Sequence, residues 1–323
     1  MRVRLATWNL ENFDERAGGL APPERLHALR PKLLALKADV LCLQEVGAER
    51  PEKNAPRALT HLDALLGGTP YASYARVATG LPRGGLSNIH NLVVLSRFPI
   101  TAHQELAHRL VPPPVVSLRT DGPDTSRPVS FDRPLLHATL DVGGRPLHVI
   151  AAHLRAPLAT SLEGQKSGPF AWKSVSAWAE GFWLSSLKRV GQALEARLLV
   201  EALLAADDEA LVLVAGDFNA DLSEMPLRLL RADVGDTGNA ALAAHSLVAL
   251  DASVPDAQRF TIVHQGRRQV LDHLLASPAL ARAHVHTDIL NEDLGDEWTA
   301  ARAGVKPTGS FHAPVVSEVE LPG

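Results

Sequence analysis

The chain has 323 residues, 46% of them hydrophobic and 21% charged, which is ample apolar content for a packed core and an ordinary charge load. Its formal net charge of -4 argues against a protein that grips nucleic acid through bulk positive charge, although a locally basic cleft remains open. The single cysteine, Cys42 in VLCLQ, excludes a disulfide framework within the chain and reads as a small core residue, and no apolar run reaches membrane length.

From the N-terminus, MRVRLATWNL enters a strand pattern with no apolar leader before it, so a reducing, cytoplasmic location is expected. Val3–Trp8 alternates apolar and polar residues and predicts a strand running into Asn9. Pro22–Leu36 places Leu26, Leu29, Leu33 and Leu36 at helical spacing behind a proline entrance. Asp39–Val46 predicts an apolar strand with Glu45 at its far end, and Arg57–Leu66 a helix closed by Gly67-Gly68. Strand, helix, strand, helix in turn place the chain in the α/β class.

The middle of the chain has a different texture. Tyr71–Val77, Leu92–Leu95 and Val115–Leu118 are short strand candidates set between Gly, Pro and Asn, with Pro112–Pro114 and Asp121–Pro128 an exposed excursion. Leu135–Asp141 and Leu147–Ala152 predict a hairpin around Gly143-Gly144, with His153 just beyond it. The stretch from about 155 to 186 reads as an insertion with some helix, carrying Phe170, Trp172, Trp178, Phe182 and Trp183 in a chain that is only 5% aromatic. The plainer reading makes these rings a cover for the core, and the sharper one makes them a lid or stacking platform near a site. An amphipathic helix, Leu187–Ala205, follows.

Leu211–Ala220, LVLVAGDFNA, predicts a buried strand ending in Asp217 and Asn219, which share a face if the backbone stays extended. A carboxylate and an amide at that place suit metal-assisted phosphate chemistry, while Gly-Asp and Phe-Asn are also ordinary turn formers. Met225–Arg231 reads as a helix, and Phe260–Val263, Val270–Ala276 and Val315–Leu321 as strands, the last one following the turn Gly309–His312. No linker divides the chain, so residues 1–323 are expected to form one domain.

Asn9, Glu45, His153, Asp217 with Asn219, Asp272 and His312 all fall where strands run out, which is where α/β sheets collect their sites. Singly, each has a plainer role as a turn cap, a solvated strand end or a satisfied core histidine. Together, TWNLEN, LCLQEV, AAHL, GDFNA, LDHLLAS and the late His-Ala-Pro-Val appear in an order that resembles the endonuclease/exonuclease/phosphatase superfamily, the group of deoxyribonuclease I, abasic-site endonucleases and neutral sphingomyelinases. LSRFPI, RPLLHATL and KRVGQALEARLLVEAL resemble it too, the last being similar to its bacterial nuclease-like branch.

The resemblance implies a four-layer α/β/β/α sandwich of two packed mixed β-sheets flanked by helices. It also implies phosphoester hydrolysis dependent on a divalent metal, Mg²⁺ or Mn²⁺. On it, Glu45 is the principal metal carboxylate with Asn9 beside it, and Asp217 orients or deprotonates the attacking water at the metal. Asn219 holds the phosphate or that water, Asp272 and His312 form an Asp–His pair, and His153 stabilises or protonates the departing oxygen. Elementary chemistry agrees, since a nucleophile approaching an anionic phosphodiester needs a hard cation on oxygen ligands and positioned proton carriers. Arg133, Arg155 and Arg189 are candidates for phosphate contacts. One position departs from the pattern: where the family has Ser-Asp-His, this chain has Ser310-Phe311-His312, and a phenyl ring cannot bind a metal. The expected activity is a phosphodiesterase, a nuclease on DNA or RNA, with no obligate protein partner. The alternatives are a phospholipid or sugar/inositol phosphate esterase, or a binding protein weakened in catalysis by Phe311.

Overall fold

The computed structural model describes residues 1–14, 22–50, 52–80, 84–122, 125–304 and 308–322. Its strands form two six-stranded mixed sheets. The first runs in the order His284–Ile289, Val315–Glu320, Arg2–Phe13, Val40–Val46, Asn91–Ser96, Ala75–Ala78. The second runs Val248–Ala249, Asp272–Ala276, Leu211–Asp217, Arg145–His153, Leu135–Val142, Ile100–Leu106. Each has one parallel pair at its middle, Arg2–Phe13 with Val40–Val46 and Leu211–Asp217 with Arg145–His153.

The layering follows from alternation along the strands. Val3, Leu5, Val40 and Cys42 face into the seam between the sheets, where they meet Ala138, Val149, Leu213 and Ala215. Their neighbours Leu41 and Leu43 face the other way and bury Leu29 and Leu33 of the helix Pro22–Leu36 and Leu62 and Leu65 of Thr60–Leu66. On the second sheet Ile150, Val212 and Val214 likewise cover Ala193, Ala196 and Val200 of the helix Val175–Ala206. Two sheets, each hydrophobic on both faces, therefore need a helical layer outside each, and the result is the α/β/β/α sandwich. Burial pushes the Cys42 thiol up to about 12. Among the described residues, no helix is long and apolar enough to cross a membrane.

Several elements differ from the sequence reading. Tyr71–Val77 is a 3-10 turn, Pro70–Ser73, followed by the strand Ala75–Ala78, because the Tyr71 hydroxyl accepts from the Ala38 N–H at 2.9 Å and donates to the Leu33 carbonyl at 3.2 Å. Val115–Leu118 shrinks to Val115–Val116, paired with Arg127–Pro128, while residues 123 and 124 of the excursion lie outside the described residues. The helix expected from Leu187 begins at Val175, where the Ser174 hydroxyl caps it by accepting from the Ala177 N–H at 3.1 Å. Asn9 stands inside its strand rather than past its end, since Arg2–Phe13 is longer than the alternation of Val3–Trp8 suggested.

Gly216 sets the spacing where the parallel pair of the second sheet reaches the site. It has φ 154°, and a Cβ there would meet the Ala152 carbonyl oxygen at 1.8 Å. Gly216→Ala is expected to destabilise the protein by roughly 2–4 kcal/mol through overpacking and backbone strain. Urea denaturation checks this, and a variant within about 0.5 kcal/mol of the parent would mean that the two strands part freely there.

Candidate active site

The second sheet brings three polar residues into one row, because Asp217 pairs with His153 on one side and with Asp272 on the other. The chain then turns. Asn219 adopts φ 50°, a conformation Asn tolerates, and its N–H donates to Asp217 Oδ1 at 2.8 Å. Asp217 and Asn219 thus meet through an Asx turn rather than across one face of an extended strand, which corrects the sequence reading. The Asn219 side-chain amide donates to the Leu154 carbonyl at 3.1 Å and to Asp217 Oδ2 at 3.3 Å, so it holds the turn in place.

The first sheet supplies the other carboxylate through an irregularity. Alternation puts Gln44 on the inner face, hydrogen-bonded to Thr7, and would send Glu45 outward with Leu41 and Leu43. Instead the register slips between Leu43 and Val46, Glu45 takes φ 60°, and its side chain swings to the sheet end. There Oε2 accepts from the Asn12 N–H at 2.7 Å and Oε1 from Asn9 Nδ2 at 3.3 Å. The same Asn9 nitrogen donates to Asp217 Oδ2 at 2.9 Å, while its Oδ1 accepts from the Glu11 N–H at 2.8 Å. Asn9 therefore bridges the two sheets' carboxylates with its nitrogen, and its oxygen would face a cation only if the amide turned over.

His153 lies between these carboxylates, with Nε2 3.5 Å from Asp217 Oδ2 and 3.7 Å from Glu45 Oε1. Its Nδ1 contacts the Arg133 guanidinium, and arginine can only donate. The imidazole is thus the tautomer with its proton on Nε2, aimed at the carboxylates. Burial, with Arg133 adding to it, holds the pKa of His153 well below the usual range, so the ring is neutral.

His312 behaves in the opposite way. Its Nδ1 lies 2.9 Å from Asp272 Oδ2. Burial opposes the charge, yet Asp272 and Asp217 outweigh it and raise the pKa of His312 well above the ordinary value. Two hydrogen bonds fix the loop that carries it, one from Trp8 Nε1 to the His312 carbonyl at 3.0 Å and one from the Ser310 hydroxyl to the Asn9 carbonyl at 2.7 Å. Burial, reinforced by Asp272, lifts the Asp217 carboxyl to about 6.

This donor set fits a hard divalent cation. Glu45 and Asp217 converge on the same amide and the same neutral imidazole, so their negative charge is only partly offset. Asp217, Asp272 and His312 also bring ligand atoms within 4.8 Å of one another, and buried Asp272 Oδ1 has no hydrogen-bond partner among the described residues. A cation held by Asp217, Asp272 and His312 would have to displace the His312 proton, a cost the Glu45–Asn9–Asp217 side does not carry.

The three arginines separate clearly. Arg133 reaches the centre through His153, whereas Arg155 leans on Asp132 at 3.4 Å beside a hollow of about 850 Å³ that His90 and Arg133 also line. Arg189 donates to the Asn219 carbonyl at 2.6 Å and pairs with Glu224 at 3.3 Å, so it braces the Asp217–Asn219 turn. Two residues escaped the sequence reading. His90 stands 3.9 Å from Glu45 Oε2, and Glu11 accepts from the Phe311 N–H at 2.7 Å and feels the His312 charge. Both are polar residues beside recognised ones, Glu11 within WNLEN and His90 just before the strand Asn91–Ser96. The Phe311 ring lies over Gly295, in a hollow lined also by Trp8, Leu29 and Leu290.

Residues 6–310 match the model of the endonuclease/exonuclease/phosphatase family. No curated protein matches the chain. Among solved structures it is similar to an endonuclease/exonuclease/phosphatase family protein from Leptotrichia buccalis C-1013-b (TM-score 0.54, 14% identity, covering 99% of this chain and 100% of that one). It is similar also to D. rerio TDP2 complexed with single strand DNA product (TM-score 0.55, 16% identity, 99% of each chain). An AP endonuclease from Archaeoglobus fulgidus gives TM-score 0.54 and 16% identity over 99% of this chain and 100% of that one.

Because Asp217 takes up a proton at about 6, protons and a cation compete for it. Calorimetric Mn²⁺ affinity is expected to be full well above that pH and to fall as the pH drops through about 6. An affinity independent of pH across that range would remove Asp217 from the cation site.

Proposed function

The chain belongs to the endonuclease/exonuclease/phosphatase family of phosphoester-hydrolysing enzymes, and on that premise we propose that it is a nuclease cleaving DNA or RNA phosphodiester bonds. The observation that carries this reading is the convergence of Glu45, Asp217 and a neutral His153 beside the charged Asp272–His312 pair. Glu45 and Asp217, with Asn9 if its amide turns, would hold Mg²⁺ or Mn²⁺, and the bound cation supplies charge neutralisation for the anionic phosphate. Asp217, placed beside His153 at the strand end, would orient an attacking water or take its proton at the cation. His153 Nε2–H donates to a phosphate oxygen, and Arg133 fixes that tautomer and adds a positive charge behind it. His312, held protonated by Asp272, stabilises the pentavalent phosphate or hands a proton to the leaving oxygen. Asn219 and Arg189 keep the Asp217 turn rigid, and Arg155 meets the flanking backbone at the rim.

Phe311 is compatible with activity. Its ring rests in the hollow beside Trp8, and the neighbouring carboxylate is provided by Glu11, whose Oε2 holds the Phe311 N–H. We take residues 1–323 as one catalytic unit, and the fully buried single cysteine as suited to the cytoplasm.

A matrix of Mg²⁺ and Mn²⁺ against nucleic acids, phospholipids and sugar or inositol phosphates tests the proposal. Cation-dependent cleavage of nucleic acid is expected, reduced by roughly 10²- to 10⁴-fold in Asp217→Ala and in His312→Ala. Preference for another phosphoester would transfer the site to that substrate, and unchanged cleavage in both variants would overturn the assignment of roles.

A further inference from the structure

The aromatic stretch before the active site is divided between two tasks. Trp172 packs into a small core with Leu162 and Leu184, as a covering residue does. Trp178 and Phe182 do not, being 45% and 39% exposed, with ring centroids 5.6 Å apart and planes at 31°. At 100° per residue, Trp178, Phe182 and Arg189 fall within an arc of about 40° on the helix Val175–Ala206. They form one line along the axis, and it ends at the arginine that braces the Asn219 turn. Phe182 stands about 10 Å from Arg189 along that axis and Trp178 about 16 Å, roughly three and five nucleotides away at a stacked spacing of about 3.4 Å.

The same turns are held from two other sides of the helix. Glu180 Oε1 accepts from the Arg119 N–H at 2.8 Å, and Gly181 is buried, where a Cβ would meet the Thr160 carbonyl oxygen at 2.4 Å. The turns that carry Trp178 and Phe182 are therefore anchored to the rest of the fold. The charge is favourable as well: residues 155–189 hold five basic side chains against two acidic ones, in a chain whose net charge is -4.

We propose that Trp178 and Phe182 are a stacking platform for unpaired bases of a nucleic-acid strand, flanking the phosphate received beside the Asp217–Asn219 turn that Arg189 braces. This deepens the nuclease reading and rests on it. Accessible rings on which successive bases stack bind single strands without sequence preference, each base contributing about 1–3 kcal/mol.

The test compares Trp178→Ala/Phe182→Ala with the parent protein on three ligands. These are a labelled single strand of about twelve nucleotides, within the usual site range, a small chromogenic phosphodiester, and phosphatidylserine-containing vesicles. The expected result is KM for the single strand, and its Kd by anisotropy without added divalent cation, raised at least about tenfold, with turnover of the small diester unchanged. Trp178→Phe/Phe182→Tyr should retain binding, and Trp183→Ala, whose exposed ring lies about 120° round the helix from Arg189, should leave it unaltered. Unchanged KM and Kd in the double variant, with the parent cleaving the strand normally, would overturn the platform and leave the nuclease reading intact. A parent that cleaves the small diester but neither binds nor cleaves the strand would overturn the platform, and the same failure on duplex DNA and RNA would end the nuclease reading as well. Equal loss in Trp183→Ala, or loss of vesicle binding alone, would overturn the platform and give the face to general apolar contact or to a membrane.

Discussion

The active-site end of the fold depends on one hydrogen bond across the seam between its sheets, from Asn9 Nδ2 to the buried Asp217 carboxylate. Asn9 belongs to a central strand of the first sheet and Asp217 to a central strand of the second, so the contact sets how the two sheet ends face each other. Because the same nitrogen also reaches Glu45, it draws two carboxylates together where Coulomb repulsion would part them. Burying that much negative charge is costly unless it is paired, and the chain surrounds it with donors: Arg133 behind His153, a protonated His312, and the Asn12 and Asn219 N–H groups.

Under the proposed function the two histidines divide the labour. His153 is buried and His312 half-buried, yet desolvation and Arg133 keep His153 neutral while Asp272 and Asp217 keep His312 charged. Neighbours that push similar groups apart in pKa produce a fixed hydrogen-bond donor and a proton carrier from one residue type. The parallel pair Leu211–Asp217 and Arg145–His153 makes this possible, because it delivers His153 and Asp217 at the same level of the sheet.

Much of this was legible in the sequence, and the exceptions have physical causes. Buried strands such as Val40–Val46 and Leu211–Asp217 announce themselves because both faces are covered and the run is continuously apolar. Ile100–Leu106 and His284–Ile289 went unread because they are sheet edges whose exposed residues, His103, Gln104 and His286 among them, erase the pattern. The candidate site residues could be named from motifs, while their geometry could not be read. The position of Glu45 depends on a register slip with φ 60°, and the union of Asp217 with Asn219 on a turn at φ 50°, and neither leaves a periodic trace. The three arginines were alike in sequence because rank among them rests on partners far along the chain, such as Glu224 for Arg189 and His153 for Arg133.

On the proposed function, the Glu45–Asn9–Asp217 seam is a divalent-cation site built by two sheets meeting end to end. Anomalous scattering from crystals grown with Mn²⁺ measures it directly. A peak between the Glu45 and Asp217 carboxylates, with oxygen ligands at about 2.0–2.3 Å, is expected. A peak confined to Asp272 and His312, or to the molecular surface, with the seam left bare, would contradict it.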